Sequence, residues 1–412
     1  MTDIQKLKRI PVSLLRYGLY VSRTDRPWAE IPVIFQGFKI TTANELRILR
    51  KYCRFAYVEE TRSREDALLE MRSAIQDSNT AGMSKEVYAR RLKAVAKQRT
   101  DAAEFVTGAL HDMRLGRSLD CRQARAVVEN LANELADNHS ASMWLASLRR
   151  RDQHASAHAV NVCVISLAFA MSMEMEADQL QTIGLGALLH DVGKMQLPDS
   201  ILSKPGPLDA GEWEMVKTHP LMGVDAVARD GDLPRQVLDI IRMHHERLDG
   251  SGYPEGLMGA AVPDYVRMVA IADAYDSLTT DQPYRKGTQS DEVLKRLYKE
   301  GGATFGAALV QRFIYCVGIF PVGSLVEMDN GALGIVLSTD PDSRLKPLVL
   351  LVCDAAGEYV SQRMLLNLAT QGSSLNDGEE RHIRRIVNPV LYPEIDISAI
   401  IRFEFGDVTG LV

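Results

Sequence analysis

Between residues 158 and 273, about a quarter of the chain, seven side chains of metal-ligating type recur: His158, the doublet His190-Asp191, His219, the doublet His244-His245, and Asp273. Imidazole and carboxylate are the groups that hold borderline divalent metals, and seven in so short a span is more than structure alone usually needs. Five of the nine histidines fall at these positions, each beside a helix end or a Gly/Pro loop. The pattern points to a metal-dependent hydrolase on a helical scaffold.

Taken singly, the positions differ in weight. His190-Asp191 closes the apolar run LQTIGLGALLHDVGK, which stops as a helix at Gly193. An adjacent His and Asp at a helix end can place the imidazole on one metal while the carboxylate bridges to a second. Lys194, three residues on, is then placed to meet a phosphate oxygen. The plainer alternative is a helix-terminal imidazole interacting with the dipole and a surface cation. His158 lies four residues after His154, on the same helical face; alone it reads as a hydrogen-bonded core histidine. His219, in MVKTHPLMG, alone reads as a helix boundary. The doublet His244-His245 ends the helix VLDIIRMHH and runs into the Gly-rich ERLDGSGYPEGLMG, so adjacent imidazoles could address neighbouring metals. Asp273 is an acid inside the apolar run RMVAIADAYDSLTT, where a carboxylate needs a cation. Asp276 fits as the partner of a ligand histidine.

A chain of 412 residues has room for two or three units, and 46% hydrophobic with 25% charged residues is a soluble globular composition. The net charge of -6 argues against a DNA or RNA polymer as partner, while metals and local cations can still oppose a small anion. Five cysteines without a CxxC pair fit reduced thiols in a cytoplasm. The N-terminus has no apolar signal region, and the stretch at 160–173 falls short of a membrane span, so a cytoplasmic protein without membrane attachment is expected.

Four segments are expected. Residues 1–62 read as a small α/β module with strands at IPVIF (31–35) and FAYVEE (55–60) and a helix over NELRILRKY; 63–145 read as a helical connector rich in Ala, Arg and Glu. Residues 146–319 carry the ligand series on alternating helices and loops. Residues 320–412 turn β-rich, with a hairpin at Asn330-Gly331 and an exposed loop at TQGSSLNDGEE (370–380).

HDVGK at 190–194, HP at 219–220, HHERLDGSGYP at 244–254 and IADAYDSLTTDQPYR at 271–285 resemble the HD-GYP family, a bacterial group of HD phosphohydrolases associated with cyclic di-GMP hydrolysis. LKRIPVSLLRYGLYV is similar to a small domain often found ahead of such domains, and FPVGSLVEM to their C-terminal extension. The resemblance implies a mainly α fold with an HD-type bundle as the catalytic domain. It implies that His158, His190, Asp191, His219, His244, His245 and Asp273 hold two divalent ions, iron or manganese, with Asp191 bridging and Lys194 on the scissile phosphate. Arg285 would grip the nucleotide phosphates, and Gly252, Tyr253 and Pro254 form the signature loop, tied to site shape and to a protein partner. Two positions depart from the family. Gln282 stands where Arg is usual, and His154 could ligate a third ion. Opening of cyclic di-GMP to linear pGpG, and on to GMP, is the implied reaction, in control of motility and biofilm. A catalytically quiet sensor or partner-docking module, or a hydrolase of another cyclic dinucleotide, is the alternative. Oligomeric state, with a homodimer among the options, is left open.

Overall fold

The computed structural model describes residues 7–12, 15, 18–32, 37–65, 67–68, 85–147, 155–202, 204, 206–228, 233–281, 286–339, 343–360, 362–369 and 381–406. The chain divides into two compact units, Met1–Ser84 and Lys85–Val412.

The first unit runs β1 (Leu7–Pro11), β2 (Tyr20–Thr24), β3 (Phe38–Lys39), α1 (Ala43–Tyr52) and β4 (Phe55–Glu59). Its strands form one antiparallel sheet in the order β1-β4-β2-β3. A capping box starts α1: the Thr42 hydroxyl accepts from the Glu45 N–H, and the Glu45 carboxylate accepts from the Thr42 N–H. Leu49 of α1 joins Ile10, Val21, Ala56 and Val58 of the sheet in a small core. FAYVE forms β4 as expected, whereas Ile31 and Pro32 of IPVIF lie outside any strand and 33–35 lie outside the described residues. Proline has no N–H to give a ladder. Ile31 still buries its side chain in this core.

The second unit is a helical bundle followed by a sheet. Its helices are α2 (Lys85–Arg114), α3 (Cys121–Asp137), α4 (His139–Ser147), α5 (Ala155–Ser172), α6 (Ala177–Leu189), α7 (Asp199–Leu202), α8 (Ala210–Val216), α9 (His219–Ala228), α10 (Arg235–Met243), α11 (Asp264–Thr279), α12 (Ser290–Gly301) and α13 (Ala307–Val317). One continuous apolar core runs from Ala102 on α2 to Val317 on α13. From Lys85 on, the stretch anticipated as a connector is therefore part of this bundle. Helix α5 is apolar all round because neighbours cover every side: it packs against α2, α3, α4, α6, α11 and α13. At 18 residues it is long and apolar enough to cross a membrane, beyond the expectation for 160–173, yet 72% of it is buried in the protein.

After α13 come β5 (Leu325–Met328), β6 (Leu333–Ser338), β7 (Leu348–Cys353), β8 (Leu365–Asn367) and β9 (Ile383–Ile386), in the antiparallel order β8-β7-β6-β5-β9, and then α14 (Ile397–Phe405). The β5-β6 hairpin turns at Asn330-Gly331, where the Met328 N–H donates to the Ala332 carbonyl at 2.8 Å. The loop expected at 370–380 lies outside the described residues. A mainly helical bundle with a small α/β module before it and a β-rich extension after it is the observed architecture.

Candidate metal centre

Five elements deliver the ligand-type side chains to one place. Helix α5 carries His158 one turn from its start. His190 is the C-cap of α6, and Asp191 leads into a 3-10 turn, Val192–Gln196, that carries Lys194. His219 opens α9 with Pro220 behind it, where the missing N–H costs nothing. His244 is the C-cap of α10, His245 follows it, and α11 carries Asp273 and Asp276.

Three histidines are held in the same way. Nδ1–H of His190 donates to the Ala187 carbonyl at 2.7 Å, that of His219 to Val216 at 2.7 Å, and that of His244 to Ile241 at 2.9 Å. Each acceptor lies three residues back in the last turn of a helix, where carbonyls lack an intrahelical partner. A carbonyl only accepts, so the proton sits on Nδ1 and Nε2 keeps its lone pair. The Nε2 atoms of fully buried His219 and His244 are 3.2 Å apart. Two lone pairs at that distance need a shared proton or a metal cation between them. Nε2 of His190 and Oδ1 of Asp191 are buried with no hydrogen-bond partner. This donor set, converging nitrogens and carboxylate oxygens, fits borderline divalent cations.

Asp191 stands between two groups of ligand-type side chains. Its Oδ1 lies 3.2 Å from Nε2 of His219 and 3.7 Å from that of His244; its Oδ2 lies 3.3 Å from Nε2 of His190 and 3.8 Å from that of His158. Lys194 Nζ donates to the same Oδ2 at 2.6 Å. Asp273 Oδ1 is 3.2 Å from Nε2 of His158, and its Oδ2 is 4.0 Å from Nδ1 of His245. The ligand atoms fall into two clusters, each within 4.8 Å: Asp191, His219, His244 and His245, and His158, His190 and Asp273. Behind them, Nδ1–H of His158 donates to Asp276 Oδ2 at 2.7 Å, and the Ser277 hydroxyl donates to Asp273 at 3.2 Å.

Electrostatics among the protein groups sort them by protonation. Burial works against charge on Asp191 and Asp273, but the Lys194 ammonium holds Asp191, and His158 holds Asp273, well below the usual carboxylate range. Burial pulls His244 down to about 4 against the Asp191 carboxylate, and it holds His245 well below the usual imidazole value with His244 adding to the effect. Both are the forms that ligate metals. At His158, burial is outweighed by Asp273 and Asp276, which raise it to about 10, so a metal ion bound there would have to displace the proton from Nε2.

The signature loop closes against the same residues. A Cβ at position 252 would lie 2.5 Å from the Arg247 nitrogen and 2.5 Å from the Glu246 Cα, so glycine alone lets the loop lie this close. The Tyr253 N–H donates to the His245 carbonyl at 3.3 Å, and its ring stacks on His245 with centroids 4.5 Å apart. Pro254 follows. Reading of the sequence missed Glu246, the acid directly after the histidine pair. It is fully buried, and its carboxylate accepts from the N–H of Glu255 at 2.7 Å and of Leu257 at 2.9 Å, pinning the loop's far side. Its position after two histidines was the available signal. His154, Gln282 and Arg285 lie outside the described residues.

A helical bundle that gathers an HD doublet with four further histidines and an aspartate defines the HD class of metal-binding hydrolase domains. Comparison agrees: the HD domain family matches residues 121–309, and a domain of unknown function (DUF3391) matches residues 7–124. Cyclic di-GMP phosphodiesterase PA4108 of Pseudomonas aeruginosa is 31% identical over 375 residues, spanning 89% of this chain and 90% of that protein. The response regulator RpfG of Xanthomonas campestris pv. campestris, a cyclic di-GMP phosphodiesterase, is 33% identical over 48% of this chain and 52% of its own. The 3'3'-cGAMP-specific phosphodiesterase 2 of Vibrio cholerae is 33% identical over 47% of this chain and 35% of its own. The chain belongs to the HD-GYP family.

Proposed function

We propose that this protein is a phosphodiesterase that opens cyclic di-GMP to linear pGpG, and then GMP, at a centre of two divalent ions, iron or manganese. The observation that carries the proposal is the division of the ligand atoms into two clusters with Asp191 facing both. His158, His190 and Asp273 would hold one ion, His219, His244 and His245 the other, and Asp191 would bridge. Two such ions activate water and neutralise charge on a phosphodiester. The protein's own part is positional. The carbonyl bonds aim Nε2 of His190 into one cluster and those of His219 and His244 into the other, so little reorganisation is needed on binding. Lys194, a third exposed at its side chain, is placed beside Asp191 to donate to a non-bridging phosphate oxygen, opposing charge as it builds. Tyr253 keeps its hydroxyl proton, because burial and the Asp191 and Asp273 charges raise its pKa, and lies over His245 as a further donor at the rim. One water is consumed and one P–O bond to a ribose oxygen breaks per opening. His154 is the candidate ligand for a third ion and Arg285 for a phosphate contact; the loop of Gly252, Tyr253 and Pro254 is the candidate surface for a protein partner.

The relatives favour cyclic di-GMP, and the presence of a cGAMP phosphodiesterase among them, with Gln282 in place of arginine, supports a second cyclic dinucleotide as the rival substrate. Purified chain, prepared anaerobically and loaded with iron or manganese, is given each dinucleotide and its products resolved by chromatography. Release of pGpG that is lost in Asp191→Ala, together with bound metal, is the expected result. Tight binding without turnover at full metal loading would replace the enzyme reading with a sensor.

A further inference from the structure

Behind His158 the polar network does not end at Asp276. Asp276 Oδ1 accepts from Nδ2 of Asn161 at 3.0 Å, and Oδ1 of Asn161 accepts from Nη2 of Arg99. All three are buried: Asp276 and Asn161 are 1% exposed and Arg99 3%. The amide orientation has no ambiguity, since a guanidinium only donates and a carboxylate only accepts. Asn161 sits three residues after His158 on α5, so both meet Asp276 of α11 from one helix face. Arg99 comes from α2, which packs against α5. Its side chain is always charged, and a buried charge is retained at a cost unless it is hydrogen-bonded and opposed by another. Here the opposing carboxylate is the one that orients a ligand-type histidine.

Position 99 also falls outside the match to the HD domain, which begins at residue 121, and inside the match to the domain of unknown function, which ends at residue 124. By its packing, however, the helix belongs to the unit that holds the ligand clusters.

We propose that Arg99 is a positioning residue of the metal centre: through Asn161 and Asp276 it holds His158 in its ligating orientation, so that helix α2 tunes metal retention on the side formed by His158, His190 and Asp273. A charge at the head of a hydrogen-bonded chain polarises each link. Arg99 draws on the Asn161 carbonyl, which sharpens its N–H as a donor to Asp276 and leaves the second oxygen of Asp276 fixed on Nδ1 of His158. Nε2 of His158 is thereby aimed at Asp273 and Asp191. A displacement of α2 along its axis would slacken this chain and loosen one ion without touching any ligand. The family comparison assigns the segment no role; this one follows from the reading of the site as a divalent-metal centre.

The full chain is titrated with manganese against a competing chelator, and retained metal is counted after gel filtration, for the parent, Arg99→Met, Arg99→Lys, Asn161→Leu and the double variant Arg99→Met/Asn161→Leu. Loss of such an outer hydrogen bond weakens metal binding by about 10- to 100-fold. Arg99→Met and Asn161→Leu are each expected to lose that much at one of two ions with unchanged circular dichroism, and Arg99→Lys to recover part of it. Because the residues act in series, the double variant should be no weaker than the worse single variant. Unchanged manganese affinity in folded Arg99→Met, or losses that multiply in the double variant, overturn the relay. If Arg99→Met does not fold, unchanged affinity in Asn161→Leu overturns it equally. Parent protein that takes up no manganese overturns the metal reading itself, an outcome distinct from failure of the relay alone.

Discussion

Gly193→Ala places a methyl carbon 1.9 Å from the His219 carbonyl oxygen and 2.5 Å from the Gly223 nitrogen. Both neighbours are backbone, so no flexible side chain can swing aside. Side-chain Cβ atoms essentially never approach another heavy atom within 3.0 Å, so the contact must open by at least 1.1 Å, the difference between 3.0 and 1.9 Å. The movement separates the turn that follows Asp191 from the start of α9, where His219 Nε2 lies 3.2 Å from Asp191 Oδ1. Overpacking of this kind costs about 1–3 kcal/mol, and the rigid neighbours put it at the upper end. Against a typical stability of about 5–15 kcal/mol the variant still folds. Its chemistry suffers more, because a reacting group misplaced by about 1 Å loses on the order of 100-fold in rate. Turnover of cyclic di-GMP, manganese affinity and the thermal midpoint are compared with those of the parent and of Gly108→Ala. Gly108 lies on α2 with nothing within 4 Å of its built Cβ, so alanine there should stabilise by about 0.5–1 kcal/mol and leave turnover alone. Parental turnover and metal affinity in Gly193→Ala would show that the HD turn and α9 need not approach this closely, and would refute the positioning argument.

Glu246→Ala strips the acceptor from two loop N–H groups, at about 1–3 kcal/mol for each left buried and unpaired; a lower thermal midpoint and new proteolytic cleavage between 249 and 256 are expected, and parental resistance would count against the pinning role. Glu404 accepts from Lys85 and from Arg363, the latter at 3.0 Å, joining α14 to α2 and the strand region. Burial works against its charge, but these bonds outweigh it and hold its pKa below the ordinary 4.5. A depressed pKa contributes stability that is present above 4.5 and lost as pH falls below it. Glu404→Gln should therefore flatten the acid limb of stability measured between pH 5 and pH 3, roughly the range in which carboxylates titrate; an unchanged limb would mean the pair contributes nothing. Treatment with a strong chelator should lower the thermal midpoint, with recovery on adding manganese in proportion to the logarithm of its concentration. A midpoint indifferent to both would argue against a structural share for the ions.

Much of the site was legible in the chain because its chemistry is carried by residue type and local spacing. His190-Asp191 and His244-His245 are adjacent in sequence and sit at helix ends that apolar periodicity reveals, so each doublet is a local feature. Asp273 stood out because a carboxylate inside an apolar helix requires a partner. Helical content, the Asn330-Gly331 hairpin and the β-rich tail are likewise written in short-range patterns. The pairing between distant positions was not so written. That Asp191 faces two clusters, that His158 leans on Asp276, and that His219 and His244 meet Nε2 to Nε2 depend on how α5, α6, α9, α10 and α11 cross. Glu246 and Arg99 escaped notice for the same reason: a charged residue on a helix or after a histidine pair looks solvent-facing until packing buries it. Ile31 and Pro32 show the reverse, a β-type pair that lies outside any strand, with Ile31 buried in the core and Pro32 exposed, because proline cannot complete a ladder. Sequence alone determined the inventory of chemical groups and the elements that carry them, since both follow from local covalent and helical geometry. Tertiary structure decided which groups share a lone-pair direction, a hydrogen bond or a buried charge, since those interactions act over a few ångströms between segments far apart in the chain.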